Sequence, residues 1–133
     1  MMPMRERARL MRGDSGSAVV EFALVTPILL IVVLAVVQVI LAIHVRSTMT
    51  AAAAEGARAA ALAGSSMAVG ERRTRDVLAD AIGGGAATSI TASRIREGEI
   101  PMIRVRVTAR LPLLGLLGPE TLIVDGHALV ERG

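Results

Sequence analysis

Residues Gly16 to Val45 read GSAVVEFALVTPILLIVVLAVVQVILAIHV, and the rest of the chain is arranged around that stretch. From Phe22 to Ile43 no side chain is ionisable. As a helix this run covers roughly 33 Å, against a hydrocarbon core of about 30 Å, so one pass through a bilayer fits with little tilt. Apolar runs of about 10–14 residues suit buried core helices or signal-peptide centres, and this one is too long for either. Glu21 stands at its polar end. An ionised carboxylate within a turn of the hydrocarbon boundary is costly, and its escapes are snorkelling to the headgroups, neutralisation or a cationic partner.

Composition limits what surrounds the span. With 133 residues, 53% of them hydrophobic, the chain allows one membrane segment and one small domain. The net charge of +3 is carried by Arg without any Lys, and the basic residues are interleaved with 12 acids rather than clustered. One Phe, no Tyr and no Trp leave no aromatic platforms for stacking bases, so nucleic acid is not an expected partner. The absence of Cys excludes disulfides and thiolate metal sites.

Residues 1–16 form a short basic leader that ends in Gly13, Asp14, Ser15 and Gly16, all turn formers. Arg5, Arg7, Arg9 and Arg12 outweigh Arg46 at the other end of the span, which predicts the N-terminus inside and the C-terminus outside. A cleaved secretory signal with its cut near Ala51 to Ala54 is the competing reading, disfavoured by the length of the apolar run. Within the span Pro27 lacks a backbone donor, so a bend or loosening is expected around Ala23 to Pro27, with Thr26 available to a freed backbone group. Gln38 is the other strongly polar residue at depth. It either bonds a neighbouring helix or is simply carried by a long apolar one.

Beyond His44 and Arg46 the segment STMTAAAAEGARAAALAG is dominated by Ala, the best helix former. One helix from about Ser17 to Ala63 follows, with residues 17–45 crossing the membrane and 46–63 continuing outside it. Glu55 and Arg58 are spaced to pair on its surface, and Gly56 permits close approach of another backbone. Residues 64–133 then read as a small α+β domain. Glu71 to Ile82 is a short amphipathic helix with Val77, Leu78, Ala81 and Ile82 inward, ended by Gly83 to Gly85. Thr88 to Arg96 is a strand. Ile103, Val105, Val107 and Ala109 alternate with Arg104, Arg106, Thr108 and Arg110, which gives a second strand with a hairpin around Glu97, Gly98 and Glu99. Pro101 must sit at a strand start or edge. Leu111 to Pro119 is an apolar loop, and Leu122, Val124, Ala128 and Val130 face inward on a third strand. So small a core without disulfides should lean on the protruding helix.

Catalytic chemistry is not expected. His44 and His127 lie in unrelated settings without acids or Cys at ligand spacing, so His44 reads as an interfacial residue and His127 as a solvent-facing strand residue. No phosphate-loop or nucleophile-elbow motif is present. The arginine row 104, 106, 110 reads as a solvated strand face, with contact to an acidic partner or wall polymer as the less favoured alternative. No cofactor is called for.

Gly16 followed by Ser-Ala-Val-Val-Glu-Phe resembles the processing motif of type IV prepilin-like proteins: Gly, four residues, Glu, then an aromatic. SAVVEFALVTPILL, the later VRSTMTAAAAEGARAAA and the tail ending TLIVDGHALVERG are similar to the TadE-like branch of that group, associated with Tad/Flp pili. The resemblance implies cleavage after Gly16 by a prepilin peptidase, leaving Ser17 first and Glu21 fifth. It also implies that Glu21, with Phe22 beside it, brings subunits into register by pairing with a neighbour's amine. The implied fold is α+β and pilin-like: a long N-terminal transmembrane helix, a short second helix and a small antiparallel sheet of about three strands. The implied role is that of a minor pseudopilin or assembly component in the bacterial cytoplasmic membrane. Its partners would be the peptidase, other pilin-like subunits, Tad assembly proteins and lipid. A single-pass anchor with an external domain that binds a ligand or wall component is the alternative, and a tethered enzyme is a weaker one.

Overall fold

A computed structural model describes residues 4–85, 87–111 and 120–132. The elements run α1 (Met4–Ala61), α2 (Met67–Ile82), β1 (Ala87–Glu97), β2 (Ile100–Leu111) and β3 (Glu120–Leu129). This is the expected α+β order of a long apolar helix, a short helix and a three-stranded antiparallel sheet. The chain divides into two compact units, Met1–Val39 and Ile40–Gly133. The anticipated loop falls mostly on residues 112–119, outside the described residues.

The helix begins at Met4 rather than near Ser17. The turn formers at 13–16 do not stop it, because a helical Gly costs only about 1 kcal/mol and no Pro intervenes between Met4 and Thr26. It ends at Ala61, where Gly64 adopts a φ of +77° and the Ser65 amide donates to the Leu62 carbonyl at 3.0 Å. The positive φ, open to Gly without a Cβ penalty, turns the chain out of the helix.

In the second unit the apolar spacing of α1 settles its inner face. Met49, Ala52, Ala53, Ala57 and Ala60 are buried at helical intervals. They share one core with Leu78 of α2, with Ile103, Val105, Val107 and Ala109 of β2, and with Val124 of β3. The strict alternation read in β2 therefore has its apolar face on the helices. Ile103, Val105 and Val107 are at most 1% exposed, and such burial contributes roughly 1.5–3 kcal/mol per side chain. Small Ala side chains on α1 let its backbone come down onto the sheet. Gly126 of β3 marks the closest point, since a Cβ there would meet the Ala53 carbonyl oxygen at 2.6 Å and the Ala53–Ala54 peptide nearer still.

The second helix starts at Met67, earlier than Glu71, with Ser66 extended before it at φ −125°. Gly70 lies inside the helix, where its missing side chain seats it against Gly56. Its buried residues are Gly70, Thr74 and Leu78. Val77 and Ile82 pack at the core margin, whereas Ala81, expected inward, is exposed. The buried stripe follows contact with α1 and is rotated from the one that hydrophobicity alone suggests.

The sheet order is β1-β2-β3. Glu97 pairs with Ile100, so Gly98 and Glu99 form a two-residue turn, with Gly98 at φ +62°. A positive φ at the first central residue followed by a negative one fits a type II′ hairpin. Pro101 is the second residue of β2, and its carbonyl accepts from the Val130 amide at 3.2 Å. Its missing donor falls at the strand start, as expected of Pro in a sheet.

Candidate assembly surface

From Ser15 through Val25, and over most of the run to Ile43, α1 is exposed in the isolated chain, with Phe22 at 73% and Val19 at 67%. None of its most apolar window is buried. A length of apolar helix that the chain itself leaves uncovered requires lipid or other helices around it. Gly16, Ser17, Glu21 and Phe22 are all exposed. Ser17 and Glu21 are four apart, on one face of the helix. Around Gly16 a Cβ would meet nothing within 4 Å. The Gly16–Ser17 bond lies inside the helix rather than in a turn.

Pro27 lies within α1, which runs through it unbroken. The carbonyl it leaves without its usual donor is that of Ala23, four residues back. The Thr26 hydroxyl instead donates to the Phe22 carbonyl at 2.6 Å. A helical Thr reaches either the third or the fourth carbonyl behind it, and Thr26 takes the fourth, so it does not serve the freed one. Gln38 is half-buried and engaged within the chain.

Farther along α1 the polar and small residues find partners within the second unit. Glu55 pairs with Arg73 of α2, whose Nη2 and Nε donate to one carboxylate oxygen at 2.8 and 3.2 Å. Arg58, three residues along, is exposed. The Arg73 hydrogen bond and charge hold the Glu55 carboxyl below its ordinary value, with Arg58 adding a smaller effect, and Glu55 in turn raises Arg73. The pairing anticipated between Glu55 and Arg58 is thus replaced by one across two helices. The backbone that approaches Gly56 is that of Gly70, whose carbonyl would lie 2.6 Å from a Cβ on Gly56, with the Thr74 hydroxyl closer. Thr74 is fully buried, and its hydroxyl is satisfied by the Gly70 carbonyl at 2.9 Å.

On the sheet face away from the helices, Arg106 makes a two-pronged bond to Asp125, Nε to Oδ1 and Nη2 to Oδ2, both 2.8 Å. This partner lies directly across in the β2–β3 register. The Arg106 hydrogen bond holds Asp125 below the usual carboxylate range, against some opposition from burial. Arg106 is therefore not simply solvated. Arg104 is half-buried with an unpartnered Nε, and Arg110 is exposed. His44 and His127 are both exposed, and among the described residues no group of three or more His, Cys, Asp or Glu could hold a metal.

Arg73, Gly70, Thr74, Asp125 and Gly126 were not singled out from the sequence. Gly126 carried a signal, because Gly inside an alternating strand pattern often marks close backbone approach. Gly70 carried a misleading one, since it closes the stretch GSSMAVG, Gly64 to Gly70, which by its Gly and Ser reads as a break between helices.

Among the described residues, fold and surface together define one apolar helix fit for a single membrane pass and a small α+β unit. Residues 16–58 match the model of the family described as TadE-like protein, and over that segment the resemblance read from the sequence is shown. The match takes in Gly16, Glu21, Phe22, Pro27 and the Glu55–Arg58 block, while residues 59–133 lie outside it. It points to a component associated with a Tad pilus, in a family that is generally structural rather than enzymatic. No curated protein and no solved structure matches the chain.

Proposed function

We propose that this chain is a minor pseudopilin or assembly component of a Tad/Flp pilus or a related secretion apparatus, acting by helix packing. The observation that carries the reading is Glu21. It is exposed on an uncovered apolar helix, in the family-matched segment, four residues beyond Ser17. Cutting after Gly16 frees an amine at Ser17, and a neighbour's amine then offers the cationic partner that a carboxylate at the hydrocarbon boundary requires. The enzyme that cuts is a prepilin peptidase, and the partners are pilin-like subunits and Tad assembly proteins alongside lipid. The leader faces the cytoplasm, because its four Arg flank the span, and residues 64–133 lie on the outer side of the bacterial cytoplasmic membrane.

Intact-mass and N-terminal peptide analysis of the protein from its own membrane tests the processing step. A mature terminus at Ser17 is expected, and a chain retaining residues 1–16 refutes it. Glu21→Ala tests assembly. The variant should enter the membrane normally, since it makes the helix more apolar, yet fail to co-purify with sister subunits. Normal assembly would reject the pairing role.

A further inference from the structure

The two edges of the sheet are treated differently by the chain. On β1 the Ala92 amide, which pairs across with Val105, does not donate to β2. It donates to the Glu71 carboxylate of α2 at 2.9 Å. That bond also fixes the parity of the ladder. In an antiparallel sheet hydrogen-bonded and non-bonded pairs alternate, so if Ala92–Val105 is non-bonded towards β1, the odd residues of β2 bond towards β3. The Val130 amide on the Pro101 carbonyl agrees. Even residues of β3 therefore bond to β2, and the amides and carbonyls of Ile123, Asp125, His127 and Leu129 point away from the sheet. The next odd residue, Glu131, donates to the Ala61 carbonyl of α1 at 3.0 Å. One edge is blocked by a helix carboxylate and the far end of the other by a helix carbonyl. Between Ile123 and Leu129 the outward backbone of β3 has no partner among the described residues.

Proteins protect long edges with charge, Pro, bulges or a covering helix, because an open one recruits another strand. The side chains at the two ends of this edge do not protect it. Ile123 is 54% exposed and Leu129 62%. Between them the outer face carries Asp125 and His127, with Arg106 and Arg104 opposite on β2. Asp125 is the carboxylate there and it feels all three basic groups, Arg106 first by hydrogen bond and then Arg104 and His127. Arg106 occupies both of its oxygens, so among the described residues Arg104, with its unpartnered Nε, and His127 lack a counter-charge of their own.

We propose that the β3 edge is a docking site for an extended strand of another protein. That strand pairs with the outward backbone of Ile123 to Leu129, places a carboxylate opposite His127, with Arg104 one strand further in on β2, and sets apolar side chains against Ile123 and Leu129. Main-chain bonds supply affinity and the alternate side chains supply selectivity, as in strand addition generally. The surface lies outside the family-matched segment and is independent of processing at Gly16.

The probe is a fluorescent peptide, Thr-Val-Thr-Glu-Thr-Thr-Thr-Val-Thr, added to the full chain in detergent micelles and read by anisotropy and amide hydrogen exchange. In the free chain the amides of Ile123, Asp125 and His127 should exchange fast while those of Val124, Gly126 and Ala128 are slow. Peptide binding should slow the first set by at least about tenfold. Replacing the peptide Glu by Gln should weaken binding about two- to fivefold, the scale of an exposed ion pair. Ile123→Pro removes only an outward amide, so it should abolish binding while the sheet persists; Ile123→Lys, which keeps the amide, serves if the Pro variant does not fold. The proposal is overturned if the Ile123 and His127 amides are already protected in the free chain. It is equally overturned if folded Ile123→Pro or Ile123→Lys binds the peptide as well as wild type.

Discussion

Replacing Gly126 by Ala should separate the sheet from the long helix that supports it. The added methyl would lie 2.6 Å from the Ala53 carbonyl oxygen and closer still to the Ala53–Ala54 peptide, where ordinary contact begins at 3.4 Å. Both sides of the clash are backbone, so no side-chain rotation relieves it. The strand and the helix must part by at least about 0.8 Å, the difference between 3.4 and 2.6 Å. A gap of that size forfeits about a quarter to a half of the dispersion attraction across it. The interface affected is the one joining Ala52, Ala53 and Ala57 to Val105, Val107 and Val124. Overpacking of a core costs typically about 1–3 kcal/mol, and the upper end applies here. For a unit of this size each kcal/mol lowers the melting temperature by about 4–8 °C, so a fall of roughly 10–20 °C is expected. Thermal unfolding of the full chain in detergent, followed by the β-sheet circular dichroism signal, measures it. Gly16→Ala is the control, since nothing surrounds that position, and should leave the melt unchanged or slightly raised. A Gly126→Ala melt within about 2 °C of wild type would refute the proposed close approach of α1 and β3.

Two further substitutions examine the same unit. Gly56→Ala should destabilise it by about 2–3 kcal/mol, because the new methyl meets the Thr74 hydroxyl and the Gly70 carbonyl together; denaturant melts read the loss, and an unchanged midpoint contradicts the crossing of α1 and α2. Asp125→Asn tests the Arg106 bond through pH. The Asp125 carboxyl is held below its ordinary value when folded, so its contribution is present above the unfolded value of about 3.9 and is lost as pH falls through the lower folded value. Wild type should therefore melt higher than the Asn variant near pH 7, and the difference should shrink towards pH 2. A gap that is constant with pH would show that the carboxylate charge is not what matters.

The strongest readings from sequence were those in which one short stretch carries its own periodicity. The apolar run from Phe22 to Ile43 is long enough to favour a membrane pass over a core helix or a signal-peptide centre. The alternation of Ile103, Val105, Val107 and Ala109 settles a half-buried strand, and Gly98 between two such runs settles the hairpin. Boundaries were less legible. Gly13, Gly16 and Gly70 were read as punctuation, yet each lies in a helix, because a Gly penalty of about 1 kcal/mol is overridden by helix continuity or by packing.

By itself, then, the sequence determined the elements, the membrane run and the motif from Gly16 to Phe22, since these depend on residues a few positions apart. The tertiary structure decided who meets whom. Glu55 turned from its neighbour Arg58 to Arg73 on another helix, Gly56 met Gly70, and Gly126 received Ala53. Arg106 left the solvated row for Asp125, nineteen residues away in sequence and directly opposite in register. It also left the outward backbone of Ile123 to Leu129 without a partner among the described residues, while Glu71 reached the other edge. Each of these contacts depends on register and crossing geometry between distant segments, which periodicity within a segment does not specify.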